Sequence, residues 1–160
     1  MGNLVTSTQV KTIVTPVNAF DPSFFDTSIQ YIEDSLISCI LTKGLYDALV
    51  IVVAAPPLTP AYQALYDVLL PAEAYAIAFE SYQKDLERKS NNQGLMENST
   101  QYSKSAQAMS ANRILKTLKD REFFYCKALG DFLIDNEIDY PLFVANDIYY
   151  SPNFRRFFPI

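Results

Sequence analysis

Histidine is absent from all 160 residues. Its absence removes imidazole-dependent serine and cysteine triads, His-ligated zinc sites and any histidine general base. Only four glycines are present, and neither GxxxxGK[ST] nor GxGxxG occurs, so no glycine-rich loop is available to cradle a phosphate. Long apolar runs are missing as well. The longest, Ala48 to Ala55, stops at Pro56-Pro57, against the ~20 residues needed to span a bilayer, so no membrane partner is expected. No basic stretch leads into an apolar segment near the N-terminus, and secretion is not expected. The two cysteines, Cys39 and Cys126, lie far apart among apolar neighbours with no CxxC spacing, and read as buried thiols. No cofactor and no metal are implied.

What is present is the composition of a folded domain, 49% hydrophobic and 19% charged with a net charge of −5. Charge is uneven along the chain. Residues 1–80 carry two basic and eight acidic side chains, and residues 81–160 carry eleven basic and ten acidic. An overall acidic chain is a poor binder of nucleic acid by electrostatics alone.

The hydrophobic spacing is helical almost throughout, and predicts an all-α fold, a small bundle of four to five helices. Three regions are expected along it: an extended arm over 1–20, a bundle domain over 21–140 and an extended docking tail over 141–160. The Val/Thr-rich stretch Leu4 to Phe20 lacks clear helical periodicity and reads as the arm or as a short strand. Asp21-Pro22 is a cap-and-proline start for a helix to about Thr42, with Phe25, Ile29, Ile32, Leu36 and Ile40 inward and Gly44 as its C-terminal cap. A short helix over Leu45–Ala55 follows. Thr59-Pro60 opens another to about Arg88, kinked or divided at Pro71. Lys89 to Ser105 is polar except for Leu95-Met96 and predicts a long loop or small hairpin able to contact neighbours. The last helix is expected over Ala106–Asp135, with Ile114, Leu118, Tyr125, Leu129, Phe132 and Leu133 inward.

No constellation points to catalysis, and the chain is expected not to be an enzyme. Asp131, Asp135, Glu137 and Asp139 fail the calcium-loop pattern, since Tyr140 stands where glycine is required and Asn146 where a bidentate glutamate is required. They read as a solvated helix end. Neither Glu33/Asp34 nor Glu73/Glu80 stands out by spacing from an ordinary helix surface. Arg113, Lys116 and Lys119 recur at three-residue steps and form a basic stripe, either simply solvated or facing the acidic first helix of a neighbouring copy. The end of the chain gathers Tyr149, Tyr150, Phe154, Arg155, Arg156, Phe157 and Phe158, residue types enriched at interface hot spots. A docking peptide is the expectation there, with a tail folded back on its own bundle as the alternative.

Taken in order, the Val/Thr arm, Asp21-Pro22-Ser23-Phe24-Phe25, the run Leu41-Thr42-Lys43-Gly44-Leu45-Tyr46-Asp47-Ala48-Leu49, the Asn92-Gln93-Gly94-Leu95 loop and Asn136…Tyr140-Pro141-Leu142-Phe143 resemble the small helical head–tail connector proteins of tailed bacteriophages, also called head-completion or neck adaptor proteins. The resemblance spans Thr6 to Phe143 and rests on degenerate structural motifs. It implies a non-enzymatic virion protein in the neck, assembled in the bacterial cytoplasm as a homo-oligomeric, dodecameric ring. Such a ring binds below the portal protein, extends the DNA channel without reading sequence, and gives tail or other neck proteins an attachment surface. The alternatives are a cytosolic helical adaptor working through its aromatic tail, a tail-terminator ring protein and a carboxylate-dependent hydrolase.

Overall fold

Two long antiparallel helices organise everything else. The computed structural model of the chain describes residues 3–14, 21–92 and 101–143, and every regular element among them is helical. The elements are α1 (Ser7–Ile13), a 3-10 turn (Pro22–Phe25) running into α2 (Asp26–Ile32), a π-helical segment (Glu33–Ile37) running into α3 (Ser38–Leu41), then α4 (Lys43–Val53), α5 (Pro60–Asn92), α6 (Gln101–Asp135) and a last 3-10 turn, Glu137–Asp139. With α2 and α3 forming one rod, the described residues give the small all-α bundle that the periodicity predicts.

α5 is the axle of the bundle. α1 and α2 pack on it, α6 runs along it and α3 also reaches α6. Between Ala72 and Ala78 every α5 side chain is buried, including Ala72, Ala74, Ala76 and Ala78, whose small size lets helices approach from several sides. This explains why Pro71 neither divides nor ends the helix. Its missing N–H costs one backbone bond, and packing around the following turns outweighs that local preference. Leu118, Cys126, Leu129 and Leu133 supply the buried side of α6, and Tyr75 stacks on Tyr125 across the pair with centroids 5.3 Å apart.

Four expectations are corrected. The N-terminal stretch is not an extended arm over Ser7–Ile13 but a helix, started by a capping box in which Thr6 Oγ1 accepts from Gln9 N–H and Gln9 Oε1 accepts from Thr6 N–H. Leu4, Val5, Val10 and Val14 are buried against the bundle, so this segment is docked on its own chain. The helix from Pro22 is composite rather than uniform and ends at Leu41. The break falls at Thr42, while Gly44 lies inside α4. α5 reaches Asn92 and α6 starts at Gln101, which shortens the expected 89–105 loop from both sides. Leu95 and Met96 lie outside the described residues. The chain past α6 is also anchored: Tyr140 and Phe143 are buried, and the Tyr140 hydroxyl donates to the Ala61 carbonyl at 2.7 Å.

Thr42 adopts φ 63°, ψ 151°, a region that a β-branched residue occupies only under strain. Its hydroxyl donates to the Leu142 carbonyl at 3.0 Å, an exposed bond that returns little of that cost. Thr42→Gly is therefore expected to stabilise the fold by about 1 kcal/mol, read as a higher urea midpoint. A lowered midpoint would show that the bond to Leu142 outweighs the strain.

Candidate functional site

The chemically unusual part of this molecule is interior. Glu33 and Glu73 are both fully buried, one at the start of the π-helical segment and the other in the middle of α5. Both Glu33 oxygens are engaged: Oε1 accepts from the Leu4 backbone N–H at 2.7 Å, and Oε2 accepts from the Tyr46 hydroxyl at 3.0 Å. Among the described residues no N–H or hydroxyl reaches either Glu73 oxygen, and the carboxyl facing it is that of Glu33. Burial first, and then the facing Glu33 charge, hold the Glu73 carboxyl well above the ordinary glutamate range. Tyr46 is raised likewise, mainly by burial and then by Glu33.

The N-terminal segment closes this centre from one side. Leu4 gives its N–H to Glu33, and its carbonyl accepts from the Tyr66 hydroxyl at 2.9 Å, which itself accepts from Gln9 Nε2 at 3.2 Å. Ser7 Oγ donates to the Asp26 carboxylate at the rim. Neither carboxyl has exposed surface among the described residues, and the arrangement is a buried polar knot joining the N-terminal segment, the π segment, α4 and α5.

A third acid, Glu122, is buried on α6 with its Oε1 unpartnered. Burial raises its carboxyl to about 7, Lys119 pulling down and Glu80 pushing up. The same burial, with Glu122 and Glu73 nearby, holds the Cys126 thiol far up its range. Cys39 is half-buried, so the expectation of two buried thiols holds fully only for Cys126.

The acids singled out from the sequence as a chemical cluster are elsewhere. Asp131, Asp135, Glu137 and Asp139 are all exposed, Asp131 pairing with Lys127 at 2.5 Å, and among the described residues no three potential ligands gather for a metal. Reading Glu33 and Glu73 as ordinary helix surface was wrong, and the missed signal was available. Glu33 lies four residues from Ile29 and from Ile37, Glu73 from Leu69 and Ile77, and Glu122 from Leu118 and Cys126. An acid at the centre of an apolar stripe is forced inward by its own helix.

Of the expected contact residues, Arg113, Lys116 and Lys119 are exposed on α6 as the three-residue step requires. The same outward side carries Met109, 74% exposed, and Phe124, 63% exposed, beside a shallow groove lined by Thr117, Asp120, Arg121 and Phe124. Phe124 was not among the candidates, because its neighbour Tyr125 satisfied the inward spacing and left it unremarked. Tyr149, Tyr150, Phe154, Arg155, Arg156, Phe157 and Phe158 lie outside the described residues.

The described residues define a small all-α bundle. The chain belongs to a family of unknown function, DUF6712, whose model matches residues 18–153. No curated protein and no solved structure matches it.

Proposed function

We propose that the chain is a non-enzymatic virion subunit, forming with copies of itself the head–tail connector ring that sits below a portal protein and receives the tail. The observation that carries this reading is the outward side of α6, where the exposed cations Arg113, Lys116 and Lys119 stand between the exposed apolar residues Met109 and Phe124. Exposed aromatic and cationic groups on one face suit a protein partner more than bulk water. The matching acidic groups lie in the first half of the chain, where Asp21, Asp26, Asp34 and Asp67 are exposed. A basic face on α6 and exposed acids on other elements of the same chain favour a heterologous contact between copies, the kind that closes into rings. Resemblance supplies the neck location, the portal and the tail as partners, and DNA as a passenger rather than a ligand.

Native mass spectrometry of the full chain, alone and with the portal protein of its own virion, tests the reading. A ring, or a stoichiometric complex with portal, is expected. Arg113→Glu with Lys116→Glu should weaken self-association about tenfold and Phe124→Ser about thirtyfold, the ordinary sizes for rim charges and for a central aromatic anchor. A chain that stays monomeric and ignores portal overturns the connector assignment. Binding of another partner by such a monomer through its aromatic tail would establish the adaptor instead.

A further inference from the structure

We propose that Glu33 and Glu73 share one buried proton that latches the N-terminal segment Leu4–Val14 to the bundle, and that removing this proton releases the segment while α5 and α6 stay folded. The latch is bonded at both backbone groups of a single residue. Leu4 N–H is held by Glu33, and Leu4 C=O by Tyr66. Glu33 can therefore hold the segment only while it is itself held in place, by the Tyr46 hydroxyl on one oxygen and by the facing Glu73, whose two oxygens have no donor of their own among the described residues. With one proton between them the pair is a hydrogen bond. With none, two like charges face each other in a closed apolar space, where their repulsion is far stronger than in water.

Nothing nearby relieves that charge. The titratable groups facing the pair are Asp34 beside Glu33, Tyr46 from α4, Tyr66 from α5 and Cys126 from α6, none of them a base, and among the described residues no lysine or arginine acts on Glu73. Tyr46, Tyr66 and Cys126 are each raised, chiefly by burial, and stay neutral while Glu73 gives up its proton. Opening at the N-terminal side is the shortest way to water, because that side is a seven-residue helix and its leading turn rather than one of the two long helices. It lets water reach Glu33 and Glu73 and uncovers Leu4, Val5, Val10 and Val14.

Hydrogen–deuterium exchange of the full chain at several pH values, corrected for intrinsic exchange rates, tests this. Since the closed state holds a proton that the open state gives up, opening of residues 4–14 should grow about tenfold per pH unit above the ordinary glutamate range, with protection at Leu4 and Val10 lost accordingly. Glu73→Gln keeps the shape and donates an N–H to Glu33, so its segment should show no pH slope. Should that variant not fold, Glu73→Met serves, as it also lacks the proton. A flat profile in the wild type, the same slope in a neutral variant, or loss of protection over Leu69–Ile77 in step with residues 4–14 would each overturn the latch.

Discussion

Raising the pH from about 4.5 to about 7 is expected to lower the stability of the wild-type fold, and replacing Glu122 by glutamine to remove a large part of that loss. Glu122 is 5% exposed on the face of α6 that meets α5, and burial raises its carboxyl from 4.5 to about 7. Between those values the folded chain keeps a proton that the unfolded chain has released. The contribution is therefore fully present below 4.5 and is lost as pH climbs to about 7, at about 1.4 kcal/mol per unit, or roughly 3 kcal/mol in all. The sign opposes ordinary acid denaturation, in which paired carboxylates are lost on the way down. Glu73 acts in the same direction, so Glu122→Gln should flatten the curve without abolishing its slope. Urea midpoints at four or five pH values settle the matter. A midpoint that rises with pH over this interval, or a variant that follows the wild type throughout, would mean that Glu122 is ionised in the fold and reaches water.

The same three glutamates show what the sequence could and could not convey. The bundle was readable because nearly every element obeys one rule, apolar residues every three or four positions, and Phe25, Ile29, Ile32, Leu36 and Ile40 are all buried as that rule demands. The rule failed where a local choice is overridden or unusual. Thr6 to Gln9 is a capping box in plain sight, yet the Val/Thr content of the N-terminal stretch argued for extended chain, and the buried apolar groups of the bundle decided for a helix. The π-helical segment inserts a wider turn after Ile32, so that Leu36 and Ile37 and then Ile40 and Leu41 all face inward with Glu33 among them. Spacing alone does not announce that turn. Nor does it tell which helix a buried acid faces. The pairing of Glu33 with Glu73 joins residues forty positions apart and belongs to the tertiary structure, as does the closing of the pair by Leu4.

Buried acids seldom add stability, since a carboxyl in an apolar core gives up its hydration for fewer bonds than water offered. Their presence at four positions, Glu33, Glu73, Asp85 and Glu122, therefore asks for another reason, and geometry supplies one for the first two. Glu33 ties three separate elements to one point through Leu4 N–H, Tyr46 OH and Glu73. Apolar residues of equal volume would fill the space without fixing which backbone group docks there. Charge on the outside follows a different logic. Arg113 and Lys116 are exposed on α6, where a partner can reach them.

Phe25→Ala should be the most damaging single truncation among the residues that start the bundle, at about 4 kcal/mol, the usual size for deleting a fully enclosed ring. Phe25 has no exposed surface and ends the 3-10 turn that Asp21 caps, its carboxylate accepting from Ser23 N–H at 2.9 Å. That turn packs against both α1 and α5, and the Phe24 ring meets the Phe25 ring edge-on at 5.2 Å. Removing the ring leaves a cavity between three elements of unequal strength. α5 is fixed along its whole length by α6 and will not move to fill it, whereas α1 is short and will. The expected result is a lower urea midpoint together with faster amide exchange in α1 than in α5. A loss of this size is a large share of the ~5–15 kcal/mol available to a domain. Ile138, 96% exposed after α6, is the control, and its change to alanine should stay within about 0.5 kcal/mol. Equal effects at the two positions would mean that Phe25 is not enclosed, and that the N-terminal helix docks by its Leu4 hydrogen bonds rather than by the apolar contact beneath it.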